Sequence, residues 1–235
     1  MGAIYRREVK AYFTSPIAYV FIAILYFYAS YFFVYYNMVS GLAEVSAAYS
    51  GAFFLLIFIV PLLTMRLFTE EKRQKTDQCL LTAPVNLFSI VGGKFLAACT
   101  ILLVGMAIFI VFAFILNGLA GSLDWAVMVG NFLGYFLLGA SFIAIGEFVS
   151  AMTENQVVAA IIAFIVNYLL FQIDTLSNSV TNEFISTILT NIGFYTRYNE
   201  FTAGILSVTS ILFFLSVVFI FNFLTVRALE RRRWN

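Results

Sequence analysis

The stretch LFTEEKRQKTDQCLLTAPV, residues 67–85, gathers Glu70, Glu71, Lys72, Arg73, Lys75 and Asp77 within a few positions of one another. On either side lie apolar runs, 49–68 and 95–116. Each is long enough to span a bilayer, which takes about 17–25 apolar residues at roughly 1.5 Å rise to cover roughly 30 Å of hydrocarbon. The charged stretch is thus a polar connector between two spans. Four further segments, 17–39, 125–149, 157–173 and 205–226, meet the same criterion. None alternates apolar and polar residues like a barrel strand, so the chain reads as an all-α integral membrane protein with six transmembrane helices.

Composition agrees. Of the 235 residues 63% are hydrophobic and 11% charged, against about 25% charged in soluble domains, and the mean hydropathy is +0.98. That length accommodates one transmembrane domain, 1–235, but not an additional soluble catalytic domain of ordinary size. The net charge of +1 carries no indication of nucleic acid. Cys79 and Cys99 are too few for a disulfide framework and read as free thiols. The N-terminal apolar run exceeds a signal-peptide core of about 7–15 residues and is expected to remain as an anchor.

Six spans put both termini on one side of a cell membrane. Every Lys and Arg except Arg197 falls in the N-terminal arm, the 67–94 connector with its flanks, or the C-terminus. The positive-inside rule therefore makes these segments cytoplasmic. In the N-terminal arm Tyr5, Val9, Tyr12 and Phe13 share one helical arc while Arg6, Arg7, Glu8 and Lys10 fall elsewhere. That is the pattern of an amphipathic helix lying in the inner interface, and Pro16 separates it from the first span. Phe184, Ile185, Ile188, Leu189 and Ile192 repeat the pattern in the long outer loop.

The connector has internal design. The second span is expected to run on through Glu70 to Gln74. Thr76 suits an N-cap, Asp77 suits the next first turn, and Pro84 ends the piece after Leu80 and Leu81. A short cytosolic helix within 70–84 results; the plainer alternative is a solvated loop that only fixes topology.

The run MRLFTEEKRQKTDQCLLTAPV (65–85), followed by GGKFLAA (92–98), SAMTENQVVAA (150–160), RYNEFTAGIL (197–206) and FLTVRALERRRW (223–234), resembles the permease subunits of type-2 ABC exporters, close to the gliding-motility-like branch. Lys75 stands where many members have Gly, and Gln78 where many have Glu. The resemblance implies that 70–84 is a coupling helix docking on a separate ABC ATPase, with ATP and Mg²⁺ bound on that partner and no cofactor or metal in this chain. Glu70, Glu71, Lys72, Arg73 and Asp77 would then contact the ATPase or orient the helix, while Leu80 and Leu81 pack it on the bundle. Glu154, in a turn on the same side, is a further candidate contact. The resemblance also implies a substrate path between this chain and a second copy or related permease, lined by the second and fifth spans. Pro61 and Asn167 are its candidate residues here.

No nucleotide engine is encoded in the chain. Gly92-Gly93-Lys94 lacks the upstream Gly of a P-loop and is followed by Phe95, so phosphate-cradling amides and a Mg²⁺-binding hydroxyl are missing together. There is no His, which excludes His-based dyads and haem His ligation in an intramembrane enzyme.

Depth sorts the remaining polar groups. Glu147 lies 22 residues after Trp125, roughly 33 Å along a helix, and so near the inner interface. Asp174, by the same reckoning, reaches the outer one. Each is expected to be solvated or paired, Glu147 with Arg66 or Lys94. Tyr135 and Asn167 reach mid-depth, where interhelical hydrogen bonds explain such residues more often than substrate contact. Pro61 should kink the second span. Thr153 and Gln156 fit a capping box for the fifth, and Gly130 with Gly134 permits close helix packing. An ion-driven secondary transporter would need mid-membrane acids, which are absent. A non-transporting scaffold subunit of an ATPase-linked complex is the other alternative.

Overall fold

The computed structural model describes residues 1–41, 45–76, 86–120, 124–179 and 191–234. Among them there are helices and no strands: α1 (Gly2–Thr14), α2 (Pro16–Phe33, continued by a π-turn, Val34–Val39), α3 (Val45–Thr64), α4 (Thr69–Arg73), α5 (Leu87–Ala120), α6 (Trp125–Met152), α7 (Gln156–Ser179), α8 (Phe194–Thr202) and α9 (Val208–Trp234). Six helical stretches are long and apolar enough to cross a membrane, matching the six spans expected, and the chain is a multi-pass membrane protein.

α6 is the central helix. It packs against α3, α5, α7, α8 and α9, and 78% of its most apolar window is buried, against 17% for α7 and for α9. Its sequence explains the position: Gly130, Gly134, Gly139 and Gly146 let neighbouring helices approach closely. A Cβ on Gly134 would meet Phe201 of α8 at 2.6 Å, one on Gly139 would meet the Leu102 side chain of α5 at 2.5 Å, and one on Gly146 would collide with Thr64 of α3. The Gly130–Gly134 step thus serves packing inside the bundle, as the sequence suggested. Tyr135 donates to the Ala52 carbonyl of α3 at 3.1 Å and packs edge-on against Tyr49 and Phe109.

α1 is amphipathic and lies along α5. Tyr12 is buried and Tyr5 and Val9 are half-buried against the core, whereas Phe13, expected on the same face, is exposed. Ser15 is extended (φ −99°, ψ 157°) and Pro16 opens α2, so the chain turns where the sequence expected.

Three expectations need correction. The third spanning helix begins at Leu87, not 95, which carries Lys94 into its interior. The second does not run unbroken to Gln74: α3 passes through Pro61 to Thr64 and opens at residues 65–68 before α4 begins, so the interruption lies about one turn beyond Pro61. The cap of α7 is Asn155, whose Oδ1 accepts from Val157 N (2.9 Å) and Val158 N (3.4 Å), while the Thr153 hydroxyl accepts from Asn155 N. The chain is extended at Thr153 (ψ 161°), two residues too early to reach the first turn of α7. Asp174, expected to be solvated or paired, is paired. It is 6% exposed and caps α8, accepting from Tyr195 N (2.9 Å), Thr196 N (3.1 Å) and the Thr196 hydroxyl (2.5 Å).

Candidate functional site

The opening of the helix between α3 and α4 leaves carbonyls without their usual partners, and other helices supply them. Tyr12 of α1 donates its hydroxyl to Leu63 O at 2.8 Å, and burial pushes its phenol up, keeping it a donor. Lys94 of α5 donates to Leu67 O at 2.6 Å. The Ser150 hydroxyl of α6 accepts from Phe68 N (3.0 Å) and Thr69 N (3.4 Å) and lies 3.4 Å from Met65 O. The elbow is therefore fixed from three sides.

α4 is anchored by a buried ionic cluster. Lys94 Nζ, 1% exposed, lies 3.1 Å from Glu8 Oε1 of α1 and 3.1 Å from Glu71 Oε1 of α4, with the Phe68 ring 5.0 Å away. Arg7 closes the ring, 2.6 Å from Glu8 and 2.5 Å from Glu71. Burial alone would push the Glu8 carboxyl up, but Lys94 and Arg7 outweigh it and hold this group below the ordinary carboxylate range. Lys72, 5% exposed, donates from Nζ to the Ala151 carbonyl at the end of α6. Arg66 reaches Ser15 Oγ (2.6 Å) and Glu70 (3.3 Å) and lies over the Tyr12 ring.

The sequence-derived candidates therefore separate. Glu71 and Lys72 face inward and hold α4 on the bundle. Glu70 is partly exposed and paired with Arg66, and Arg73 is exposed. Asp77, Leu80, Leu81 and Cys79 lie outside the described residues, as does most of the expected outer amphipathic segment, of which only Ile192 is described. Glu154 is exposed and pairs with Arg232 of α9 at 3.1 Å. Pro61 and Asn167 are both buried inside the chain and line no open face in this conformation.

α4 closes with a Schellman motif. Lys75 N donates to Lys72 O and Thr76 N to Glu71 O, each at 3.0 Å, and Lys75 takes φ +56°. That left-handed geometry gives a physical reason for Gly at the equivalent position in the permeases the chain resembles. The Thr76 hydroxyl donates to Glu71 O at 3.3 Å; the amides it is expected to cap lie outside the described residues.

Glu147 and Asn167 also depart from expectation. Glu147 is fully buried and, among the described residues, neither carboxyl oxygen has a hydrogen-bond partner. Among the described residues neither expected partner forms a direct ion pair with it: Lys94 is engaged by Glu8 and Glu71 and Arg66 by Glu70, although Lys94 still acts on Glu147 electrostatically. Asn167, fully buried on α7, makes no hydrogen bond with either side-chain atom among the described residues. Lys94, Arg7, Glu8 and Ser150 are the residues that sequence reasoning passed over. The available signal was a lysine among apolar residues at 94, taken as the flank of a span that in fact starts earlier.

The sequence model of the family described as ABC-2 family transporter protein matches residues 5–172. The chain belongs to this family. The match runs from α1 into α7 and takes in α4 and every member of the Lys94 cluster, so the site lies in the family-defining part of the chain. Membership makes the chain a permease component of an ABC transporter. No curated protein sequence matches it.

Proposed function

We propose that this permease is the membrane half of an exporter, paired with a second copy or a related permease and driven by a separate ATPase that docks on the 70–84 segment. What carries the reading is the attachment of α4. Glu71 and Lys72 bind it to α1, α5 and α6 through buried ionic and hydrogen-bonded contacts, so a push delivered at α4 passes directly to the bundle. Arg73 and Glu70 present charge outward for the ATPase, and Glu154 borders the same end. With Arg7, Arg66, Lys72, Lys94, Arg227 and Arg232 gathered there, this end is the cytoplasmic one and both termini are cytoplasmic.

The path between permease halves is assigned to the exposed seam of α3 and α7. Phe54, Phe58 and Leu62 form one stripe on α3 and meet α7 through Phe58–Phe164 and Phe54–Phe171 ring contacts, with centroids 4.8 and 5.7 Å apart. These residues take the place of Pro61 and Asn167 as candidate lining.

The test is co-expression with the cognate ATPase. Reversing Glu70 and Arg73 together should abolish co-purification while the permease still accumulates in the membrane. Undiminished co-purification refutes docking at this segment. Cargo-stimulated ATP hydrolysis in proteoliposomes separates transport from scaffolding.

A further inference from the structure

Beside α4, between the C-terminal ends of α6 and α9, lies an open hollow of about 530 Å³. Lys72, Arg227, Arg231 and Arg232 line it, with Phe148 and Met152 on its membrane side and no carboxylate among the described lining residues. The acids that pair with its arginines, Glu230 with Arg227 at 2.7 Å and Glu154 with Arg232 at 3.1 Å, are outside this lining. Phe148 and Met152 also border a second cavity, an apolar trough of about 380 Å³ between α6, α7 and α9. Val158, Ile162 and Val166 run along its α7 wall and Phe221 closes it from α9. The α7 residues recur every four positions, so the trough descends about 12 Å from the basic end.

The geometry points to a binding site for an anionic phospholipid, with its phosphate among Lys72, Arg227 and Arg231 and an acyl chain in the Val158–Ile162–Val166 trough. Positive charge suits the phosphate, and basic pockets between membrane helices at the cytoplasmic side are suited to acidic headgroups. The trough favours a lipid over an acidic protein surface. It continues the hollow along α7 and α9, whose apolar windows are only 17% buried, and a soluble partner cannot follow it into hydrocarbon. The occupant must join a negative charge to a long apolar tail. Placement in the inner leaflet rests on reading the basic end as cytoplasmic; the binding chemistry does not.

Lys72 links this site to α4, because its Nζ also holds the Ala151 carbonyl. A bound phosphate would hold the ends of α6 and α9 beside the coupling segment.

The experiment is native mass spectrometry of the full-length permease, delipidated in detergent and titrated with phosphatidylglycerol or phosphatidylcholine. Phosphatidylglycerol should bind at least tenfold more tightly. The Arg227→Gln/Arg231→Gln double variant should lose about thirtyfold in phosphatidylglycerol affinity and little for phosphatidylcholine. Arg227→Lys/Arg231→Lys should keep most of the preference, which separates charge loss from misfolding. Ile162→Trp, filling the trough, should weaken both lipids. Equal affinity for the two lipids in the unmodified protein, or an unchanged preference in the Gln double variant, overturns the proposal. If the Gln variant keeps its lipid preference but loses ATPase co-purification, the hollow is a protein contact and the lipid assignment fails. Loss of lipid preference with intact co-purification supports the site and leaves the docking reading standing.

Discussion

Replacing Lys94 with Met keeps most of the side-chain volume and removes the charge at the centre of the Arg7–Glu8–Glu71–Lys94 cluster. Three contacts disappear: two carboxylates at 3.1 Å and the Leu67 carbonyl at 2.6 Å. Breaking a buried ion pair from one side costs about 3–5 kcal/mol, because the surviving charge stays desolvated. Arg7 still touches both glutamates, which places the cost at the lower end, about 3 kcal/mol. At roughly 2–4 °C per kcal/mol for a chain of this size, thermal unfolding in detergent should fall by about 6–12 °C. Arg7→Met removes two ion pairs to the same glutamates, but its side chain is 52% exposed, so about 1 kcal/mol or less is expected. In a Glu8→Gln/Glu71→Gln background, Lys94→Met should cost much less, since no carboxylate is stranded. Equal losses for Lys94→Met and Arg7→Met, or an undiminished Lys94 effect in the neutralised background, would refute this account of how α4 is held.

Three other perturbations test separate features. Glu8 is held below the ordinary carboxylate range, so its contribution is fully present above the unfolded-state value of about 4.3 and is lost as pH falls through the lower folded value; melting temperature should drop below about pH 4 more steeply in the native protein than in Glu8→Gln. Gly146→Ala drives a methyl into Thr64 and should destabilise by about 1–3 kcal/mol, whereas Gly118→Ala, with nothing within 4 Å, should be neutral or stabilising by up to about 1 kcal/mol; thermal melts of the two variants must move in different directions or by clearly different amounts. Lys75→Gly relieves the left-handed backbone at φ +56° and should stabilise the end of α4 by about 1 kcal/mol, seen as slower hydrogen exchange of the Thr76 amide; faster exchange counts against the cap.

The six spans were legible because hydrocarbon thickness imposes a length that few other structures share. The central position of α6 was partly legible in its spaced glycines. Lys94 was misread because a lysine beside an apolar run normally marks its edge; only Glu8 and Glu71, distant in sequence, make an interior lysine tolerable. Glu147 was placed at the right end of the bundle, but depth along one helix says nothing about which neighbours exclude water from it. At the start of α7 two capping side chains stood two residues apart, and the direction of the backbone at Thr153 decided between them. The elbow at 65–68 could not be foreseen from Pro61 alone, since the partners of its freed peptide groups come from Tyr12 and Ser150 in other parts of the chain.

That elbow has a mechanical consequence. Its freed peptide groups are shared among α1, α5 and α6, so a swing of α4 with the rest in place strains all of these contacts; the Tyr12, Lys94 and Ser150 contacts would hold or release as a set. Such a joint transmits in steps. A membrane half built on it would respond to its motor as a latch does, remaining in one position until the load releases several bonds together, and would be poorly suited to graded flexing.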